Sequence, residues 1–180
     1  MTIADFPALY SERLCLRALH PDDVPALLTL YADAQVMRYW SHAPWSAPAQ
    51  AHAAIEEARA DWTAGRALHL AITMRDGAAL AGSCALYDID ADHRRATLGY
   101  LLGPAHRRRG YAGEAIELLV AHGFTELGLR RIEAEVDVRN YDSGRLLERL
   151  GFRREGRMHG RWLVEGERRD VDMWALLDAC

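Results

Sequence analysis

The chain has 180 residues, half of them hydrophobic and 27% charged, which suits one compact domain with a real core, or a tightly fused pair, and excludes a string of modules. A formal charge of −4 excludes a global attraction to nucleic acid or to an anionic membrane, so any anion has to be held by a local set of donors. Cys15, Cys84 and Cys180 are far apart, odd in number and without metal-ligand spacing, which argues against a disulfide framework or a bound metal and for the reduced thiols of a cytoplasmic protein.

Asp5 and Pro7 stand where a secretory signal would need a basic end and an apolar block, and no uninterrupted apolar stretch reaches bilayer length. Residues 13–18 alternate polar and apolar side chains and predict a short, half-buried strand. Pro21-Asp22-Asp23 then opens a helix with Val24, Leu27, Leu28 and Tyr31 at helical spacing, its acidic residues complementing the positive end of the helix dipole. A second helix is predicted over Pro48–Thr63, rich in alanine and carrying Ile55 and Trp62. Between the two helices lies an aromatic loop that includes Tyr39, Trp40 and Trp45. Two readings of it stand together: the tryptophans pin the helix pair onto the core, or Tyr39, Trp40 and Trp45 contact a substrate.

Leu68–Met74, residues 80–87 and residues 96–102 are apolar segments separated by turn formers, with Asp76-Gly77 a hairpin signal, and they predict an antiparallel meander. Gly82 marks a bulge, a close backbone approach or only a packing choice, and takes no functional role. Gly103-Pro104 stops sheet pairing, and a helix follows with Ala112, Ile116, Leu119, Val120 and Gly123 on one apolar side. Residues 131–138 alternate strictly. That places Ile132, Ala134, Val136 and Val138 on a buried face and leaves Glu133, Glu135 and Asp137 on the other, where they read as solvated. Residues 140–150 predict a helix stopped at Gly151, with Ser143, Leu147 and Leu150 on one side. Residues 152–158 and 168–176 predict two strands joined by a polar turn at Glu165-Gly166. No repeat, low-complexity tract or linker divides the chain.

Chemistry concentrates in Arg107-Arg108-Arg109-Gly110-Tyr111-Ala112-Gly113, which lies between a strand and a helix. A glycine-containing turn that enters a helix presents free backbone N–H groups at the positive end of the dipole, and the arginines add charge that suits a diphosphate. A solvated basic face would share this composition, so the strand–turn–helix context carries the reading.

This stretch is similar to the Gln/Arg-x-x-Gly-x-Gly/Ala loop of the GNAT superfamily of acyl-CoA-dependent N-acetyltransferases, with Arg107, Gly110 and Ala112 at the motif positions. Asn140-x-x-Ser143, leading through Leu147-Glu148 to Gly151-Phe152, resembles the RimJ/RimL branch of that family. The opening Ser11-Glu12-Arg13-Leu14 with Leu16-Arg17 resembles the branch's start, so the likeness runs from residue 11 to 176 of a single domain spanning 1–180. The resemblance implies a mixed α/β fold. Its central sheet is mostly antiparallel, with about six or seven strands, splays between the fourth and fifth, and is flanked by about four helices.

It also implies acetyl-CoA as cosubstrate, with no metal, and an amine acceptor that is a protein N-terminus or a small molecule. The donor's arm would lie along Tyr100 and Leu102, its diphosphate on Arg107, Arg108, Arg109, Gly110, Tyr111, Ala112 and Gly113, and its sulfur near Asn140 and Ser143. Leu102 would offer a backbone N–H to the thioester oxygen, and Ser143 would be the general acid for the departing thiolate. A plain helix cap explains Asn140 and Ser143 equally well from residue type alone. Many relatives carry a glutamate before Gly-Tyr, as in Ala-Glu-Ile-Gly-Tyr, whereas this chain reads Ala96-Thr97-Leu98-Gly99-Tyr100, so no base is evident. His106 and His159 have no visible orienting partner, and Met158, His159 and Trp162 are expected near the acceptor.

Homodimers are common in the branch. Two other classes stay open: a non-catalytic acyl-CoA-binding or interaction domain, which the missing glutamate permits, and nucleic-acid binding through Arg107 to Arg109 and Arg130-Arg131, which the net acidity opposes.

Overall fold

In the computed structural model, residues 6–75 and 79–178 are described. The strands β1 Leu9–Tyr10, β2 Leu14–Ala18, β3 Leu68–Met74, β4 Leu80–Asp90, β5 Arg95–Leu102, β6 Arg131–Asp137, β7 Arg153–Val164 and β8 Glu167–Leu177 form one sheet in the order β1-β2-β3-β4-β5-β6-β8-β7. Helices α1 Val24–Ala32, α2 Ala34–Met37 and α3 Pro48–Thr63 lie between β2 and β3, α4 Tyr111–Thr125 joins β5 to β6, and α5 Tyr141–Arg149 joins β6 to β7. All neighbouring strands are antiparallel except β5 and β6, which run parallel because α4 crosses between them.

The alternation in β6 has its predicted consequence on one face. Ile132, Ala134 and Val136 are buried against Ala115, Ile116 and Leu119 of α4, in a core that also takes in Leu14, Leu70, Leu86 and Leu98. Full burial of side chains such as Ile116 or Leu119 stabilises the fold by about 1.5–3 kcal/mol each. The opposite face carries smaller clusters. Leu27 and Ile55 join α1 to α3, and Leu30, Val36 and Met37 pack with Leu101. Pro48 at the start of α3 and Gln50, whose Oε1 accepts from the N–H groups of Ser46 at 2.8 Å and Ala47 at 3.1 Å, set where that helix begins.

One feature of the ladder positions everything else. The strands β5 and β6 pair only through Arg95 with Arg131, Ala96 with Ile132 and Thr97 with Glu133. Beyond these, residues 98–102 and 134–137 diverge and leave a seam in the sheet between the fourth and fifth predicted strands.

Eight strands replace the six or seven expected, because β1 is two residues long, too short to show a period; a fifth helix arises because Ala34–Met37 coils at the start of the aromatic stretch. The predicted Asp76-Gly77 turn, Asp5 and Cys180 lie outside the described residues. Gly82 is required by close approach: a Cβ there would stand 2.2 Å from the Leu101 carbonyl oxygen, and the register shifts at the facing Ile72/Thr73 step. The acidic face of β6 is not solvated. Side-chain exposure is 17% for Glu133, 15% for Glu135 and 1% for Asp137, because β6 is interior to the sheet and Arg95, Arg131, Arg139 and Arg161 fold over that face. No helix among the described residues is long and apolar enough to cross a membrane.

Candidate active site

The basic turn comes off the end of β5 through a short 3-10 turn, Pro104–His106. Gly110 caps α4 with φ of 82°, a left-handed conformation that L side chains resist, and no side chain caps the helix there. The first α4 N–H to find a helical partner is that of Glu114, bonded to the Gly110 carbonyl at 3.1 Å. The N–H groups of Tyr111, Ala112 and Gly113 therefore emerge at the positive end of a 15-residue helix, a geometry suited to an anion. The arginines divide. Arg107 turns back, its Nε donating to the Leu102 carbonyl at 3.0 Å, while Arg108 and Arg109 are exposed. Arg131 is likewise engaged, by Glu133 and Glu155, so the arginines of a nucleic-acid surface do not stand free as a set.

Inside the seam, the Gly103 N–H bonds to the Ala81 carbonyl at 2.9 Å. Since an antiparallel strand points successive peptide groups to opposite sides, the Leu102 N–H is turned away from β4 and into the seam. Nearer the middle of β5 a cleft of about 70 Å³ opens beside Tyr100, lined also by Ser143 and Asn140 and by Trp40, Glu135 and Trp162. The Tyr100 and Ser143 hydroxyls are 2.6 Å apart. Burial pushes the Tyr100 phenol up to about 12, against the lowering effect of the Ser143 bond, so it remains a proton donor at neutral pH.

Asn140 does cap α5: its Oδ1 accepts from the Ser143 N–H at 3.3 Å. The cap and the site are one device, since capping is what presents the Ser143 hydroxyl to Tyr100. Asp137, at the end of β6, fixes the approach to α5 by accepting from the Arg139 backbone at 2.9 Å and from its Nη2 at 2.7 Å. Burial acts to raise the Asp137 carboxyl, but the Arg139 bonds and charge bring it below the usual carboxylate range.

The other face of the sheet holds a far larger chamber, about 1000 Å³, walled by Tyr31, Trp40, Trp45 and Tyr87. It shares Trp40, Ser41, Tyr87 and Gly99 with the seam cleft, so the two spaces lie side by side with these residues between them. Trp45 stacks on Tyr31 at 4.2 Å, the pinning role, and lines the chamber as well. Tyr39 lines the seam cleft rather than the chamber.

Sequence reasoning missed Glu135. It lies on the chamber side of β6, the side to which Thr97 also points through its pairing with Glu133. Its carboxylate accepts from Arg161 Nη2 at 2.8 Å and from Trp162 Nε1 at 2.9 Å. Position 97 carries no glutamate, yet two residues beyond its register partner a carboxylate borders the seam. Of the hairpin residues expected nearby, only Trp162 lines the cleft. Met158 and His159 lie on the exposed edge strand, and His159, for which the sequence shows no partner, pairs with Asp170 at 2.8 Å.

A parallel-paired seam, a cap-presented hydroxyl and an uncapped helix start after a basic turn define an acyl-CoA-dependent acyltransferase fold. The family model for the acetyltransferase (GNAT) domain matches residues 13–153, and the chain belongs to this N-acetyltransferase family. It is 35% identical over 169 residues to an uncharacterized N-acetyltransferase, p20, of Bacillus licheniformis, covering 94% of this chain and 95% of that one. It is 29% identical to the spermidine N(1)-acetyltransferase of Escherichia coli strain K12, over 92% of this chain and 85% of that one.

Among solved structures it superposes with a TM-score of 0.83 on the Vibrio cholerae spermidine N-acetyltransferase in complex with CoA and spermine, at 25% identity over 93% and 96% of the two chains. The ribosomal L7/L12 α-N-protein acetyltransferase RimL shares the fold, with a TM-score of 0.85 at 24% identity over 96% and 94% of the chains.

Proposed function

We propose that the protein transfers the acetyl group of acetyl-CoA to a primary amine by direct attack within a ternary complex. The observation that carries this reading is the seam, whose cleft brings Tyr100 and Ser143 to one wall and Glu135 to another, next to the larger chamber with which it shares Trp40 and Tyr87. Acetyl-CoA supplies an activated acyl thioester. The N–H groups of 111–113, with Arg108 and Arg109, hold its diphosphate, and the exposed backbone of β5 at Tyr100 pairs with the pantetheine amides, bringing the thioester to Leu102.

The acceptor nitrogen must be neutral to attack, which is easier for an α-amine near 8 than for a lysine-like amine near 10.4. Its lone pair forms the C–N bond from the chamber side, and the Leu102 N–H meets the developing oxyanion, a contribution of roughly 3 kcal/mol. The amine's proton passes to Glu135, directly or through a water. As the C–S bond breaks, Ser143 protonates the thiolate, the Tyr100 phenol passes its proton to Ser143, and Tyr100, whose raised pKa disfavours the phenolate, regains a proton from water, balancing the one the amine gave up.

The acceptor is a small-molecule amine or a protein N-terminus. The named activity of the spermidine acetyltransferases supports a small polyamine, and the open, carboxylate-bearing chamber, with Glu57, Asp88 and Asp92 in its walls, suits a cation. Thiol release from acetyl-CoA, followed over a panel of polyamines, amino acids and peptides with free N-termini, tests the reading. Amine-dependent release of CoA is expected. Acetyl-CoA binding without release under any amine would leave the non-catalytic acyl-CoA-binding domain in its place.

A further inference from the structure

The residues that open the chain's first long strand contact the basic turn almost a hundred positions away. Glu114 sits in the first turn of α4, where a carboxylate favours the helix dipole but repels a diphosphate bound to the same N–H groups. It is fully engaged. Arg13 Nε donates to its Oε2 at 2.8 Å, Arg13 Nη2 donates to the same oxygen, and the Ser11 hydroxyl and the Arg13 N–H reach Oε1. The remaining nitrogen, Arg13 Nη1, donates to the Arg109 carbonyl at 3.0 Å, and the guanidinium lies 4.7 Å over the Tyr111 ring. One side chain thus holds the residues immediately before and after Gly110. In a trans peptide the carbonyl and the following N–H point in opposite directions, so fixing the Arg109 oxygen on Arg13 turns the Gly110 N–H to the other side of the turn.

We propose that Arg13 is a positioning residue for the donor's diphosphate: it orients the 109–110 peptide and neutralises Glu114, so that the helix start presents a net positive field. This rests on the reading of residues 107–113 as the diphosphate cradle. Arg13 acts through the turn and does not replace Arg108 or Arg109 as a phosphate contact. A mere staple between the N-terminal segment and α4 would use the same bonds, and the two roles separate by which donor suffers when the bonds are lost.

The test compares native protein with Arg13→Gln, Glu114→Gln and the double variant. Calorimetric titration with acetyl-CoA gives affinity, and turnover is measured with acetyl-CoA and with S-acetylpantetheine, which lacks the diphosphate. Arg13→Gln is expected to weaken acetyl-CoA binding and raise its KM about tenfold, with kcat at saturation little altered and a far smaller loss with S-acetylpantetheine. The double variant is expected to recover a large part of the affinity, because the uncompensated carboxylate is gone. Native affinity in Arg13→Gln, an equal loss with both donors, or a double variant no better than Arg13→Gln would overturn the proposal. Failure of the native protein to bind acetyl-CoA would be a different result, removing the cradle itself and Arg13's role with it.

Discussion

The two sides of the seam are built by different means. On the side proposed for the donor, the Gly110 turn and the Asn140–Ser143 cap are short, contiguous stretches, each made by a turn entering a helix. On the side proposed for the acceptor nothing is contiguous: Glu135 comes from β6, Arg161 and Trp162 from β7, Trp40 from the loop after α2, and Tyr31 from α1. Arg169 of β8, paired in register with Trp162, ties the loop to the hairpin by donating to the Trp40 carbonyl at 3.2 Å. A contiguous site binds what all members of a family share, whereas an assembled one can change its acceptor by exchanging single side chains.

The largest effect should come from the donor side. Gly110→Glu forces an L residue into a φ of 82° and places a negative charge at the helix start, close to Arg13. Acetyl-CoA binding should fall by at least about a hundredfold, since strain of roughly 1–3 kcal/mol adds to the charge repulsion. Native-like titration heats in this variant would move the diphosphate elsewhere.

Next, Glu135→Gln and Ser143→Ala should each lower kcat by roughly a hundredfold, with opposite dependence on the substrates. The serine defect should shrink when the donor is an acetyl thioester of a more acidic thiol, which leaves without protonation. The glutamate defect should shrink instead with an acceptor of low amine pKa, such as a hydroxylamine. If both defects respond to the same substrate, the division of labour between the two faces is wrong.

These experiments probe residues of unequal legibility. The alternation within β6, the span of α3, the Gly110 turn into α4 and the α5 cap were all readable, because each is governed by neighbours within one or two turns of chain. Glu135 was unreadable as a site residue because alternating charge on a strand describes a solvent-facing edge as well as an interior strand. What covers that face is Arg161, 26 residues further on. A partial signal was present: a strand reached from its parallel neighbour by a helical crossover has its edges paired, which leaves its charged face to be covered or not by what packs on it. His159 was misread for the reverse reason, since its partner Asp170 lies across a hairpin whose register only the structure shows.

The tyrosines predict a shape rather than a loss. Burial pushes Tyr31, Tyr87 and Tyr100 up to about 12 from an ordinary 10, each being harder to ionise inside the protein than in the unfolded chain. Their folded pKa values are raised, so the stability they contribute is complete below about pH 10 and is lost as pH rises from there toward 12. Turnover by the native protein should accordingly show no descending limb near pH 10, and unfolding should set in above it. A phenol titrating near 10 in the Tyr100→Phe difference spectrum would contradict the buried donor side.

The smallest effect is expected at His159. Its imidazole pairs with Asp170 on the outer hairpin, with a side-chain exposure of 80%, and it borders neither the seam nor the chamber. An exposed pair of this kind contributes little, so His159→Ala should leave kcat and the KM of the amine within about twofold and thermal unfolding nearly unchanged. The comparison is sharp because Trp162, three residues along the same strand, reaches Glu135. Trp162→Phe removes that N–H while leaving a smaller aromatic ring in place, and it should raise the KM of the amine severalfold while His159→Ala does nothing. A reversal of that order would place the acceptor on the outer edge of β7 instead of in the chamber.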